Sequence, residues 1–234
     1  MKTTIQFITS VICSISIISC KSQSVDLIAE GAELIQISNE YSFTEGPAGR
    51  ANGLYFDQNE NLLAAADNEN ELWRINANGK VDTLITNFEG KKLNGPNDLW
   101  VDLHGGIYFT DPYYQRPYWD RTAAELEEKN VYYISPDLKN ITIAATDFVQ
   151  PNGIIGTPDG KTLYVADIGD QKTYSYSIQN NGTLTNRTLF TDMGSDGMTI
   201  DNKGNIYLTG EGVTVFNSKG HKIQHIPINE EWTA

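Results

Sequence analysis

Cysteine is almost missing from this chain: there are two in 234 residues, Cys13 and Cys20. Both lie in the first twenty positions, so the body of the protein has no disulfide framework. Histidine is as scarce. His104, His221 and His225 are scattered, and without a cysteine or histidine cluster a zinc site of the usual kind has no ligands. Positive charge is short as well, with 17 Lys and Arg against 30 Asp and Glu and a net charge of −13. That balance argues against nucleic acid and against electrostatic attachment to anionic lipid. Also absent are the G-x-S-x-G elbow, the H-E-x-x-H pair and a Gly-rich dinucleotide fingerprint. "GTPDGKT" at 156–162 lacks the spacing of a phosphate loop and reads as a hairpin turn. The longest apolar run, Ile5 to Ser19, is too short to span a bilayer comfortably.

That run reads as a targeting signal. Lys2 supplies a minimal positive start, and the stretch ends in Ile-Ile-Ser-Cys with no small-x-small cleavage site. It resembles a bacterial lipobox, in which Cys20 becomes the acylated first residue; an ordinary secretory signal that happens to contain a cysteine is the alternative. The expected organisation is a lipoprotein signal over 1–19, a tether and first strand over 20–42, and one folded domain over 43–234. Removing 1–19 takes away Lys2 and no acid, leaving −14, which fits a body exported to the periplasmic side or cell surface and held only by its lipid.

What the sequence has in abundance is a repeat. "ANGLYFDQNENLLAAAD" (51–67), "PNDLWVDLHGGIYFTD" (96–111), "PNGIIGTPDGKTLYVAD" (151–167) and "SDGMTIDNKGNIYLTGE" (195–211) lay over one another. Each opens with a small residue or proline followed by Asn or Asp, then runs through an apolar strand, a turn of Asp, Asn and Gly, and a second strand. Three close on Asp67, Asp111 or Asp167; the fourth has Gly210-Glu211. The opening residues Asn52, Asn97, Asn152 and Asp196 are spaced by 45, 55 and 44. Further strand-like pieces at 71–88 and 130–148 bring the count to about four strands per period. Helical repeats would show apolar residues at i, i+3, i+4 and i+7, which these lack. An all-β fold of propeller type is expected, with four complete blades recognisable; a β-sandwich with accidental self-similarity is the alternative.

In a blade the first strand lies innermost, so the four opening side chains point into one ring at the channel mouth. Polar groups converging there cost about 2–7 kcal/mol each if unpaired, but oxygens so arranged suit a hard cation. The competing reading is that each merely caps its own turn. The same parity puts the loop 112–130 over the mouth, where Tyr113, Tyr114, Tyr118 and Trp119 offer apolar faces with polar tips to a sugar-like ligand. "TAAELEEK" within it is read as a short helical turn.

The motifs "EGP" (45–47), "KKLNGPND" (91–98), "TDPYY" (110–114), "VQPNGI" (149–154), "LYVAD" (163–167) and "SDGM" (195–198), in this order, resemble the gluconolactonase / senescence-marker-protein (regucalcin-like) family of six-bladed propellers. The resemblance runs from about residue 43 to the C-terminus. It implies a divalent ion, usually calcium, on the axis, with ligands at Glu45, Asn97, Asn152 and Asp196. Asp196 is also the residue it implies as general base, and Lys92 the basic residue that contacts substrate oxygens. Two departures stand out. Glu45 and Asn52 are only seven residues apart, and the chain stops at "NEEWTA" where the family continues. The 215 residues left when 19 of the 234 are removed fall short of six blades of about 40–45 each.

The expected activity is calcium-dependent hydrolysis of a sugar lactone, the ion polarising the carbonyl and Asp196 activating water. The alternatives are a lipid-tethered binding propeller without catalysis, or an inactive fragment of such an enzyme. No protein partner is implied.

Overall fold

A computed structural model of the chain describes residues 27–29, 31–33, 51–229 and 233. The chain divides into two compact units, 1–32 and 33–234. The first contributes only a turn around Gly31 to the described residues; every strand among the described residues belongs to the second. No helix of the described residues is long and apolar enough to cross a membrane.

Among the described residues, four antiparallel four-stranded sheets follow one another along the chain. The first holds β1 (Ala51–Phe56), β2 (Leu62–Ala66), β3 (Glu71–Ile75) and β4 (Val81–Ile85). A small hairpin of β5 (Asn87–Phe88) and β6 (Lys91–Lys92) leads to the second, built of β7 (Leu99–Val101), β8 (Ile107–Thr110), β9 (Val131–Ile134) and β10 (Ile141–Ala145). The third contains β11 (Pro151–Gly156), β12 (Thr162–Asp167), β13 (Lys172–Ile178) and β14 (Leu184–Thr191). The fourth contains β15 (Met198–Ile200), β16 (Ile206–Gly210), β17 (Gly212–Phe216) and β18 (Lys222–Ile226). In each sheet the strands pair in chain order, and β1, β7, β11 and β15 lie side by side as the inner strands. This is the propeller-like arrangement the repeat predicts.

The turns between first and second strands form for local reasons. Asp57 Oδ1 accepts the N–H groups of Asn59 and Asn61 at 2.8 and 2.9 Å, and Asp102 and Asp201 close their own turns in the same way. Three residues after the turn begins the backbone is left-handed, at Gly105, Gly160 and Gly204 with φ of 88, 68 and 79°.

The core consists of layers between blades. Along β7 to β9 successive side chains face opposite ways. Leu99, Val101, Phe109, Tyr132 and Ile134 pack with Leu63 and Leu72 of the first sheet. Trp100, Tyr108, Val131 and Tyr133 pack with Ile154, Leu163 and Val165 of the third. Tyr164 then meets Ile206, Leu208 and Phe216 of the fourth. Glycine makes these approaches possible: a Cβ on Gly156 would lie 2.2 Å from the Trp100 ring, and one on Gly106 2.2 Å from the Tyr133 hydroxyl.

The loop 112–130 contains turns and bends but no helix, so the helical turn expected at "TAAELEEK" does not form. Its Leu126 is buried in the first layer, and the Glu125 carboxylate accepts the Lys92 N–H at 2.9 Å. Tertiary bonds outweigh a weak local helix propensity here.

Candidate functional site

The opening Asn-Gly pairs sit where their strands break register. Between Ala51 and Leu54 of β1, and between Pro151 and Ile154 of β11, the ladder with the second strand shifts. A bulge of this kind releases side chains from the sheet faces and re-aims them. Hydrogen bonds then tie each blade to the next. Gly53 N donates to Asn97 O at 2.6 Å, Thr110 Oγ1 to Asn152 O at 2.8 Å, and Gly153 N to Ser195 O at 3.4 Å. Asp98 bridges two blades, its carboxylate accepting Leu99 N at 2.8 Å and Ile154 N at 3.0 Å. Gly53 must be glycine for this fit, because a Cβ there would lie 2.4 Å from Asp98 Oδ1 and 2.8 Å from Asn97 O.

Two of the expected ligands, Asn152 and Asp196, meet on this belt, and a third, Asn97, adjoins them through its backbone. Asn152, 2% exposed, donates from Nδ2 to Asp196 Oδ1 at 2.8 Å and to the Tyr114 hydroxyl at 3.1 Å. Its amide oxygen is buried and has no hydrogen-bond partner. Asn97, also buried, adjoins through Thr110, whose carbonyl accepts the Asn97 N–H at 2.9 Å while its hydroxyl reaches Asn152 O. Burial pushes the Tyr114 hydroxyl up, so it stays protonated, although the Asn152 amide and the Arg116 charge pull the other way. Among the described residues no three His, Cys, Asp or Glu side chains cluster as metal ligands. The side chains in contact are one amide, Asn152, and one carboxylate, Asp196. An oxygen set of this kind suits a hard cation, and the orphaned Asn152 oxygen is what such an ion would satisfy.

The remaining expected residues lie elsewhere. Asn52 turns toward its own blade, with Nδ2 3.5 Å from Asp67 Oδ2. Lys92 lines a cleft of about 240 Å³ with Glu69, Tyr118, Trp119 and Arg121. Tyr113 packs against Trp119 and under the Arg121 guanidinium. Glu45 and Cys20 fall outside the described residues.

The loop 112–130 does reach across the mouth. Asp67, at the end of β2, accepts Arg116 Nε at 2.7 Å and the Tyr118 hydroxyl at 2.8 Å, while its carbonyl accepts Trp119 Nε1 at 2.7 Å. Sequence reasoning set Asp98 beside Asn97 at the mouth of its strand but gave no role to it, to Thr110 or to the Arg116–Asp67 pair. A signal for Thr110 existed in the repeat. Thr110 Oγ1 accepts Asp98 N at 3.1 Å, and Thr209, at the matching position of the fourth sheet, accepts Gly197 N at 2.8 Å.

The aspartates that close the second strands serve the first strands. Asp111 accepts Asn94 N and Gly95 N at 2.9 and 2.8 Å; Asp167 accepts Val149 N and Gln150 N, both at 2.7 Å. Both carboxylates are fully buried. Burial pushes the Asp111 carboxyl up to about 7, against the pull of the two N–H groups and of the nearby Arg121 charge.

The sequence pattern of the SMP-30/gluconolactonase/LRE-like region matches residues 28–234. The chain belongs to this SMP-30/gluconolactonase family. Among curated members, the gluconolactonase of Zymomonas mobilis is 34% identical over 143 residues, which are 55% of this chain and 40% of that protein. A solved gluconolactonase from Xanthomonas campestris superposes with a TM-score of 0.72 at 30% identity, covering 78% of this chain and 64% of that one. A calcium-binding regucalcin from Agrobacterium tumefaciens superposes with a TM-score of 0.61 over 79% of this chain and 62% of its own, and at 22% identity it speaks to the fold alone. The SMP-30/gluconolactonase chain described here thus spans 40–41% of the length of the first curated relatives it matches.

Proposed function

We propose that this chain is a calcium-type, divalent-metal-dependent hydrolase of sugar lactones, with Asp196 as general base. One observation carries the reading: the Asn152 amide oxygen is buried without a partner, beside a carboxylate that its own nitrogen holds. Leaving such an acceptor unpaired costs about 1–3 kcal/mol, a cost that a bound cation removes. The lactone-hydrolysing relatives support the substrate class.

In this reading Asn97, Asn152 and Asp196 hold the ion, together with Glu45. When bound, the ion supplies Lewis-acid polarisation of the lactone carbonyl. Asp196 takes a proton from the attacking water, its carboxylate oriented by the Asn152 amide. Tyr114 fixes the plane of that amide through its protonated hydroxyl; Tyr113, packed on Trp119, and Lys92, in its own cleft beside the same ring, would contact the sugar from outside the Asn152–Asp196 pair. The N-terminus belongs to the same proposal: Cys20 is acylated after loss of 1–19 and tethers the body at the cell envelope. The lipobox-like ending supports this, and incorporation of a fatty-acid label that disappears in Cys20→Ser tests it.

The first test is thermal unfolding with and without millimolar calcium. An ion that binds the native state alone adds about 2.7 kcal/mol at a hundredfold excess over Kd. The second is lactone hydrolysis, which Asp196→Asn and Asn152→Ala should each abolish with the β-sheet circular dichroism retained. Activity surviving in either variant overturns the assignment.

A further inference from the structure

The repeat's closing aspartates do something that the ring of opening residues does not explain. Asp111 and Asp167 each reach back from the end of a second strand to the two N–H groups at positions −3 and −2 before an opening asparagine. The residue between, Pro96 or Pro151, has no N–H to offer and a φ fixed by its ring. Orientation imposed on the two upstream peptides is therefore passed stiffly to Asn97 and Asn152. Pro151 also stands opposite Asp167 in the β11–β12 ladder, immediately after the Gln150 N–H that the carboxylate holds. Both side chains are cut off from water, and a carboxylate that accepts two N–H bonds there is held more firmly than an exposed cap.

We propose that Asp111 and Asp167 are positioning residues that set the angle at which the Asn97 and Asn152 side chains enter the mouth. The inference rests on the reading that these asparagines hold the ion. The two carboxylates touch neither ion nor substrate; they act through the backbone that precedes each ligand. Groups in such a relation to a metal's ligands typically change its affinity by about 10–100-fold when removed. The sequence also shows where the device is not used in this form. In the first sheet the equivalent Asp67 is engaged by the loop residues Arg116 and Tyr118, and in the fourth the position is Gly210.

The test compares Asp167→Asn with Asp201→Asn in the full chain. Asp201 accepts two backbone N–H groups in the same manner, at 2.8 and 2.9 Å, but in the turn at the opposite end of its inner strand. Titration calorimetry with calcium is expected to show about a tenfold or larger loss of affinity in Asp167→Asn, with the number of sites unchanged and kcat at saturating calcium within a few-fold of the parent. Asp201→Asn should keep the parent affinity even where its Tm falls as far. Equal affinities in the two variants at a temperature where both are folded would overturn the proposal. If the parent itself ignores calcium, it is the functional reading that fails. The positioning role is then decided by amide hydrogen exchange: faster exchange at Val149 and Gln150 together with a shifted Asn152 side-chain amide resonance in Asp167→Asn supports it, and an unmoved Asn152 resonance overturns it.

Discussion

Replacing Gly156 by alanine places a methyl group against Trp100. The added Cβ would lie 2.2 and 2.3 Å from the ring atoms Cζ2 and Cη2, where carbon atoms rest at about 3.5–4.0 Å. The ring therefore has to retreat by more than an ångström, and it has nowhere to go. Trp100 is 4% exposed and stacked on Tyr108 at 6.0 Å, and the Tyr108 hydroxyl is bonded to Gly182 O at 2.7 Å. Overpacking of this kind costs about 1–3 kcal/mol. Removing a glycine from a strand returns about 0.5–1 kcal/mol. The middle of these ranges leaves a net loss of about 1 kcal/mol, or roughly 2–4 °C in Tm for a domain of this size. Thermal unfolding followed by circular dichroism measures it. The cause is isolated by Trp100→Phe, which deletes the ring atoms that clash. Contacting residues of this sort couple by about 0.5–3 kcal/mol, so the double variant should be more stable than the two single losses added together. An unchanged Tm in Gly156→Ala, or strict additivity in the cycle, would refute the reasoning.

Asp67→Ala removes the acceptor of Arg116 and Tyr118, and leaving such donors unpaired costs about 1–3 kcal/mol; limited proteolysis should cut within 115–125 faster than in the parent, and an unchanged rate would deny the latch. Tyr114→Phe keeps the ring and loses the bond from Asn152, about 1 kcal/mol of positioning or roughly fivefold in lactone turnover, with little change in Tm; full activity would exclude the hydroxyl from the site. Burial raises the Asp201 carboxyl, but the Asn205 backbone and side-chain amides, the Lys203 N–H and the Tyr207 hydroxyl outweigh it and hold it below its ordinary value. A group depressed on folding contributes stability above its unfolded pKa and loses it as pH falls through the folded one. The Tm advantage of the parent over Asp201→Asn should therefore be constant from pH 6 to 8 and shrink below about pH 4; an advantage that persists there would contradict the shift.

Blade boundaries were legible in the sequence because what makes them is local. Asp57, Asp102 and Asp201 close their turns within four residues, and the alternation of Leu99, Trp100 and Val101 follows from the pleat. Asn152 and Asp196 stand 44 residues apart and became readable as a pair only through the repeat. Beyond that reach the sequence was silent. The bond from Ile154 N to Asp98 spans 56 residues and that from Arg116 to Asp67 spans 49, and both depend on how far one sheet twists against the next. The placement of Lys92 under Tyr118 and Trp119 is of the same kind. So is the loss of the helical turn: Arg121 gives its guanidinium to the Asn94 carbonyl and to stacking on Trp119, which no local propensity announces.

The bonds that carry the belt from Asn97 to Asn152 and on to Ser195, from Thr110 Oγ1 to Asn152 O and from Gly153 N to Ser195 O, each link different blades. A single blade can fold into its own hairpins from neighbouring residues, yet none can join one ligand-bearing segment to the next by itself. Long loops must close before those bonds are made, so the mouth forms late, when adjacent blades dock. A nascent or partly unfolded chain can thus carry most of its strands and still offer no site. Occupancy of the mouth becomes a readout of completed assembly, and a ligand bound there selects finished molecules from unfinished ones.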